Sequence, residues 1–174
     1  LHRLIVSSTA YRMSSSSAGQ EANSKIDRDN QYYWKRSAMR LESQAVRDSI
    51  LALSGTLDAT MGGPPVLLAQ QATSTRRSLY FFHSNNSRNL FLTTFDEALV
   101  KDCYRREKSI VPQQALALVN SKLVLDASKQ IAERLSVGIA DDAAFVEKAF
   151  VVLLGIRPND SETKSSMQAI RAWK

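Results

Sequence analysis

The alternation of apolar and polar residues is most regular between Asn30 and Leu53. At about 100° of rotation per residue, the apolar side chains here fall on two adjoining sides of a helix. One side holds Trp34, Ala38, Leu41, Ala45 and Ala52, and the other holds Met39, Val46, Ile50 and Leu53. So wide an apolar arc is typical of a helix that contacts neighbours on two flanks. The pattern predicts one long helix, which Gly55 ends.

Two polar segments lie on either side of this predicted helix. Met13–Arg28 is rich in serine, and Met61–Thr75 contains the motif MGGPP. Neither offers a periodic apolar face to bury, so both are predicted to be irregular loops. The aromatic segment Arg77–His83 (RSLYFFH) is predicted to be a short strand, although the sequence does not indicate its partner.

Helical patterns return after Pro112, a residue that suits the first position of a helix. Further helices are expected to begin at capping residues, namely Asn120 or Ser121, Asp141 or Asp142, and Asn159 or Asp160. The chain is therefore predicted to be mainly α, an irregular helical domain with one long central helix and a short extended segment. We expect a single domain over residues 1–174. Because the chain opens on Leu1 rather than Met, we expect it to be a fragment of a longer multidomain protein.

The net charge of +6 permits association with an acidic partner. However, the basic residues occur as short pairs spread along the chain. Aromatic residues make up only 7% and do not interleave with those pairs, as they do in platforms that bind single strands. The composition therefore argues against nucleic acid and leaves an acidic polymer open. No apolar run is long enough to span a bilayer.

Few residues are suited to metal or cofactor chemistry. His2 and His83 are the only histidines and Cys103 is the only cysteine, which is too few for a zinc site. A nucleophile and base formed by Cys103 and His83 has no supporting motif, and Gly62-Gly63 lacks the spacing of a phosphate loop. We therefore predict no metal and no cofactor.

Glu42 lies between the two apolar stripes of the predicted helix. An isolated buried carboxylate is costly, so we predict that Glu42 forms a structural ion pair. The candidate partners are Arg76, Arg77 and Arg106. The alternative interpretation makes Glu42 a catalytic general acid.

Three arginines, Arg36, Arg40 and Arg47, fall together on the face opposite the apolar arc. A solvated basic face is the simpler interpretation of this pattern. The alternative is a binding site for an anion or an acidic partner.

Five segments then point to a family. In chain order they are SSTAYR, WKRSAMRLESQAVRDSILALSGTLDATMGGPP, RRSLYFF, FDEALVKDCYRREKSIVPQQALALVN and FVVLLGIRPNDSE. Together they resemble the C-terminal part of a planctomycete-associated family catalogued as domain of unknown function 1553. The resemblance spans about residues 1–162, and RLESQAVRDSIL followed by MGGP is its most specific block. The chain departs from the family at Tyr32-Tyr33-Trp34-Lys35, where members tend to have a run rich in leucine and arginine, and again at HSNNSR.

Members of that family are typically long, exported proteins with further domains upstream, sometimes including a c-type cytochrome domain. The resemblance therefore implies an extracytoplasmic setting and a larger parent chain, but it implies no reaction. We expect a structural or interaction module, whose partner is another protein or the upstream domains.

The alternative is a hydrolase-type enzyme domain that acts on an extracellular polymer. Its site would draw on Glu42, Asp48, Arg77, Arg106 and His83. A cluster of these side chains in an open cleft would favour the enzyme. Their burial as paired structural groups would favour the module.

Overall fold

The computed structural model describes residues 1–102 and 109–173, and about half of the chain is helical. The helices are α1 (His2–Ser7), α2 (Thr9–Arg12), α3 (Glu21–Ile26), α4 (Ser43–Ser54), α5 (Leu68–Gln71), α6 (Leu90–Thr94), α7 (Pro112–Asn120), α8 (Lys122–Ser136), α9 (Asp142–Leu154) and α10 (Asp160–Trp173), with a 3₁₀ helix, η1, at Ser78–Tyr80. The predicted mainly α class is confirmed. Over the described residues, no helix combines the length and apolar character needed to cross a bilayer.

The chain divides into two compact units, an N-terminal unit (Leu1–Leu41) and a main unit (Glu42–Lys174). The N-terminal unit holds the short helices α1 to α3, and the main unit holds α4 to α10. That the whole chain forms a single domain stays a prediction.

The long central helix predicted over residues 30–53 is wrong in its first half, because α4 begins only at Ser43. Asn30 and Tyr33 have φ angles of 56° and 54°, which a right-handed helix cannot contain. In addition, the Asp27 carboxylate and the Asn30 side-chain oxygen accept hydrogen bonds from main-chain N–H groups of residues 31, 32 and 35. Such local bonds compete with helical hydrogen bonding.

The buried face of α4 also differs from the predicted one. It holds Ser43, Arg47, Leu51 and Ser54, whereas Leu41, expected to be buried, lies outside the helix and is 61% exposed. A face whose members are mostly polar can be buried only when its polar groups find partners.

Arg47 supplies most of those partners and is only 2% exposed. Its guanidinium donates hydrogen bonds to the main-chain oxygens of Ser74 and Arg76 and to Ser78 Oγ, the last two at 2.9 and 3.2 Å. It also lies 4.4 Å from the ring centroid of Phe81. Arg47 therefore ties α4 to the segment that leads into η1.

The segment Arg77–His83 was predicted to be a strand, and this is correct only in part. Ser78–Tyr80 forms η1, and extended pairing is limited to one parallel bridge between Phe81 and Val66. Both residues are buried with Leu92 in a small apolar core. The buried Gln71 side chain donates to the main-chain oxygens of Val66 and Phe82, which holds this pairing in place.

The two predicted loops each contain a short helix. Helix α3 lies within Met13–Arg28, and α5 lies within Met61–Thr75. The predictions of irregular structure are therefore wrong for these short stretches, which carry too few residues for periodicity to reveal them. The MGGPP motif itself is not helical, and its two glycines have positive φ angles.

The end of α4 is fixed by α8. Gly55 adopts φ 82° directly after the helix, as its position predicted. Arg134 of α8 donates a hydrogen bond of 2.7 Å to the main-chain oxygen of Leu53, and a Cβ at Gly55 would lie 2.6 Å from Arg134 Nη1. Glycine is thus required here both for its φ angle and for the close approach of the guanidinium.

We predict that Arg47→Met lowers the free energy of unfolding by roughly 3–5 kcal/mol, because it leaves buried carbonyl groups without their donor. Urea denaturation followed by circular dichroism measures the change. Arg171→Met, on an exposed position of α10, is the matched control and should stay within about 0.5 kcal/mol. Equal stability of the two variants would contradict the structural role of Arg47.

Candidate functional site

An open cleft of about 620 Å³ lies beside α4 and η1 in the main unit. We call it the α4 cleft. Its ionisable lining residues are Glu42, Asp48, Arg77, His83 and Glu97. Polar and apolar side chains complete the lining, among them Gln44, Ser49, Ser78, Leu57, Leu79 and Phe81.

One wall of the cleft is a single face of α4. Glu42, Ala45, Ser49 and Ala52 follow one another at intervals of three or four residues and all line the cleft. This spacing places side chains one above another on a helix. Glu42 is the residue that precedes the first turn, and its side chain does not cap the helix.

Asp48 joins this wall to η1. Its Oδ1 accepts hydrogen bonds from the main-chain N–H of Ser78 at 2.9 Å and from Ser78 Oγ at 2.7 Å. Arg47 Nη1 lies 3.4 Å from the same oxygen. Burial lowers the pKa of the Arg47 guanidinium, and the neighbouring Asp48 partly opposes that shift. The Asp48 carboxylate therefore both lines the cleft and holds its wall together.

His83 and Glu97 form a second polar group in the lining. Glu97 Oε2 lies 3.6 Å from His83 Nε2 and 3.7 Å from Arg88 Nε. The Glu97 side chain is 3% exposed, and that of His83 is 28% exposed. The separation of 3.6 Å between His83 Nε2 and Glu97 Oε2 is longer than a hydrogen bond. In general-base catalysis a carboxylate orients the histidine ring through a hydrogen bond, which this pair would form on closer approach.

The comparisons with known proteins identify the family. The family model PSD1, described as a protein of unknown function (DUF1553), matches residues 1–170. The chain belongs to the DUF1553 family. No curated protein and no solved structure gives a significant match.

In this DUF1553 chain, four of the five residues named for the hydrolase alternative line the same cleft. They are Glu42, Asp48, Arg77 and His83. Arg106 lies outside the described residues. Sequence reasoning missed Glu97, because a single glutamate in an aperiodic segment gives no local signal of burial.

The prediction that Glu42 is buried is wrong, because Glu42 is exposed. Of the candidate partners, Arg76 donates to the main-chain oxygens of Gly62 and Pro64 and lies 4.1 Å from the Tyr80 ring centroid. Arg77 is exposed on the cleft. The ion pair between Glu42 and an arginine stays a prediction.

The predicted basic face of Arg36, Arg40 and Arg47 is wrong for Arg47, which is buried in the main unit. It assumed a helix that continues from residue 30, and α4 starts too late to align the three side chains. Arg36 belongs to the N-terminal unit, where it donates to the main-chain oxygen of Tyr11 at 2.7 Å. Within the described part of this DUF1553 chain, no group of three or more His, Cys, Asp or Glu is placed to hold a metal ion.

We predict that Asp48→Asn loosens the cleft wall. The change removes a charged acceptor of the Ser78 N–H and Oγ–H groups, so it should lower the free energy of unfolding by about 1–3 kcal/mol. Amide hydrogen exchange at Ser78 should become faster.

Asp126→Asn is the control, because Asp126 pairs with Lys122 on an exposed surface of α8. It should cost under about 1 kcal/mol and leave exchange at Ser78 unchanged. An unchanged Ser78 exchange rate in Asp48→Asn would refute the role given to Asp48.

Proposed function

We propose that this chain is an interaction module of a longer exported protein, and that the α4 cleft binds a peptide segment. The segment would come from a partner protein or from another part of the parent chain. The observation that carries the proposal is the mixture of hydrogen-bond acceptors and donors in one open cleft. The Asp48 carboxylate provides acceptors, whereas the exposed Arg77 provides guanidinium donors.

A peptide fits this lining because its main chain presents a donor and an acceptor at every residue other than proline. The volume of about 620 Å³ lies within the range of sites that hold small ligands or a few residues. Leu57 and Leu79 add apolar surface, and Leu79 is 70% exposed. An apolar side chain of the peptide would cover Leu79.

The cleft wall is fixed before any ligand binds. Asp48 holds Ser78, and Arg47 holds the preceding segment through Ser74 and Arg76. A wall that needs no rearrangement lowers the entropic cost of association.

The last turns of α9 also support an interaction role. Val151, Val152, Leu153 and Leu154 are between 43% and 61% exposed. A helix that is apolar on all sides is normally buried. Contiguous apolar surface of this kind is typical of contacts with another protein surface.

The extracytoplasmic location belongs to the same proposal. It is supported by membership of the DUF1553 family, whose members are typically exported. A reporter enzyme that is active only outside the cytoplasm, fused to the full parent protein, tests it.

The binding proposal predicts that a displayed peptide library contains sequences that bind the chain with dissociation constants of about 1 mM to 1 μM, the range of a small interface. Arg77→Ala should weaken such peptides about tenfold or more, because it removes a charged donor from the cleft. Isothermal titration calorimetry measures the affinities.

Arg171→Ala is the matched control, since it removes the same group from an exposed position of α10, and it should leave the affinities unchanged. Selected peptides that bind wild type and Arg77→Ala equally would show that the α4 cleft is not the binding site.

The second candidate is a hydrolase that acts on an extracellular polymer. The observation that favours it is the contact of His83 with Glu97 in the same cleft as Glu42 and Asp48. In this alternative His83 activates a water molecule, and Glu97 orients the imidazole ring.

The hydrolase alternative predicts cleavage of at least one polymer in a panel of polysaccharides and peptides, measured by released ends. His83→Gln should then reduce turnover about 100-fold or more, the usual contribution of a general base. His2→Gln, outside the main unit, is the control. Hydrolysis that survives His83→Gln would exclude His83 as the base.

A further inference from the structure

A loop that occupies the start of the predicted long helix is held in one conformation by its own side chains. The buried Asp27 carboxylate accepts from the N–H groups of Gln31 and Tyr32 at 2.9 and 2.8 Å. The Asn30 side chain bonds both the N–H and the C=O of Lys35. Trp34 Nε1 donates to the main-chain oxygen of Asp27 at 2.8 Å. We call residues 27–35 the tyrosine loop.

This loop presents two aromatic rings to solvent. Tyr32 is 81% exposed and Tyr33 is 77% exposed. Tyr33 has φ 54°, a costly conformation for a bulky residue. Strain of this kind persists only where surrounding bonds impose it, and such sites are frequently functional. Here the bonds of Asp27 and Asn30 impose it, and the result is a fixed pair of exposed rings.

The loop lies in the most basic part of the chain. The N-terminal unit holds seven of the 23 lysines and arginines but only three of the 17 acidic residues. Arg28 is exposed within the loop. Lys35 Nζ lies 4.9 Å from the Trp34 ring centroid, and the Arg36 guanidinium lies 4.4 Å from that of Tyr11. These stacking contacts hold two further cations, which follow the exposed tyrosines by two to four residues along the chain.

We propose that the tyrosine loop binds an acidic polysaccharide. The rings of Tyr32 and Tyr33 stack on the apolar faces of sugar rings, and Arg28, Lys35 and Arg36 attract carboxylate or sulfate groups. Tyrosine suits this role because a large rigid ring loses little conformational entropy on binding. The inference does not rest on the α4 cleft, which belongs to the other unit.

The geometry favours a polysaccharide over single-stranded nucleic acid. Proteins that bind single strands use a basic groove that follows the phosphate backbone, with aromatic residues inside it. Rings that are about four-fifths exposed do not line a groove of that kind. A sugar ring needs only an exposed aromatic face and a nearby cation.

The test measures binding of the full 174-residue chain to polygalacturonate and heparin, with neutral dextran and oligothymidylate as comparisons. The key variant is Tyr32→Ala with Tyr33→Asn, because asparagine tolerates the positive φ angle at that position. We expect wild type to bind both acidic polysaccharides and the double variant to bind about tenfold more weakly, the loss typical of a removed stacking contact.

Changes in salt concentration and in charged residues separate the electrostatic contribution to binding from the contribution of ring stacking. Wild-type affinity should fall as NaCl rises from about 50 to 300 mM, and Arg28→Gln should reduce that salt dependence. The double variant should keep the wild-type salt dependence, because its charge is unchanged. Trp173→Ala, which removes a 92% exposed ring from the main unit, should bind as wild type does.

A chemical measurement on the wild-type chain tests the proposal even if the double variant fails to fold. Nitration by tetranitromethane should modify Tyr32 and Tyr33 in the free chain, and polygalacturonate should protect both. The proposal would be overturned if polygalacturonate did not protect the tyrosines, or if the double variant bound it as tightly as wild type does. It would also be overturned if wild type bound dextran as tightly as the acidic polysaccharides, or oligothymidylate more tightly.

Discussion

The buried guanidinium of Arg47 is the interaction on which the main unit depends. Taking a cation out of water costs several kcal/mol, and only a full set of acceptors offsets that cost. Arg47 finds them in the carbonyl groups of Ser74 and Arg76, the hydroxyl of Ser78 and the ring of Phe81. These acceptors belong to a segment that is irregular apart from a single bridge between Asp58 and Arg76 and the 3₁₀ turn that follows. The arginine therefore links α4 to residues 74–78 through three hydrogen bonds.

The α4 cleft follows from the same contact. Arg47 and Asp48 are neighbours on α4, so their side chains leave the helix in different directions. Arg47 is directed to the interior, whereas Asp48 reaches Ser78 at the cleft and is also 3.4 Å from Arg47. One segment, residues 74–78, is thus held by both side chains. A substitution intended to alter the cleft will therefore change stability too, unless it is confined to an exposed side chain such as that of Arg77.

The sequence predicted those features that depend on local chemistry. Ser121, Asp141 and Asn159 accept from main-chain N–H groups at the starts of α8, α9 and α10, and Gly55 ends α4 with φ 82°. Long-range bonds escaped prediction. The acceptors of Arg47 lie 27–31 residues away along the chain, so periodicity assigned this residue to a solvent-facing surface. For the cleft, the sequence indicated which residue types could form a site but not that they lie together. Their proximity depends on the long-range contact between α4 and residues 74–78.

The failed long helix and the tyrosine loop have one cause. Residues 30–42 have the apolar spacing of a helix, but Asp27 and Asn30 offer main-chain N–H groups an alternative partner at short sequence separation. Once these bonds form, the chain cannot continue as a helix through residues 30–35, and the rings of Tyr32 and Tyr33 lie in solvent. A surface that retains strain and exposed aromatic rings is the kind of surface whose stabilising contacts come from a ligand.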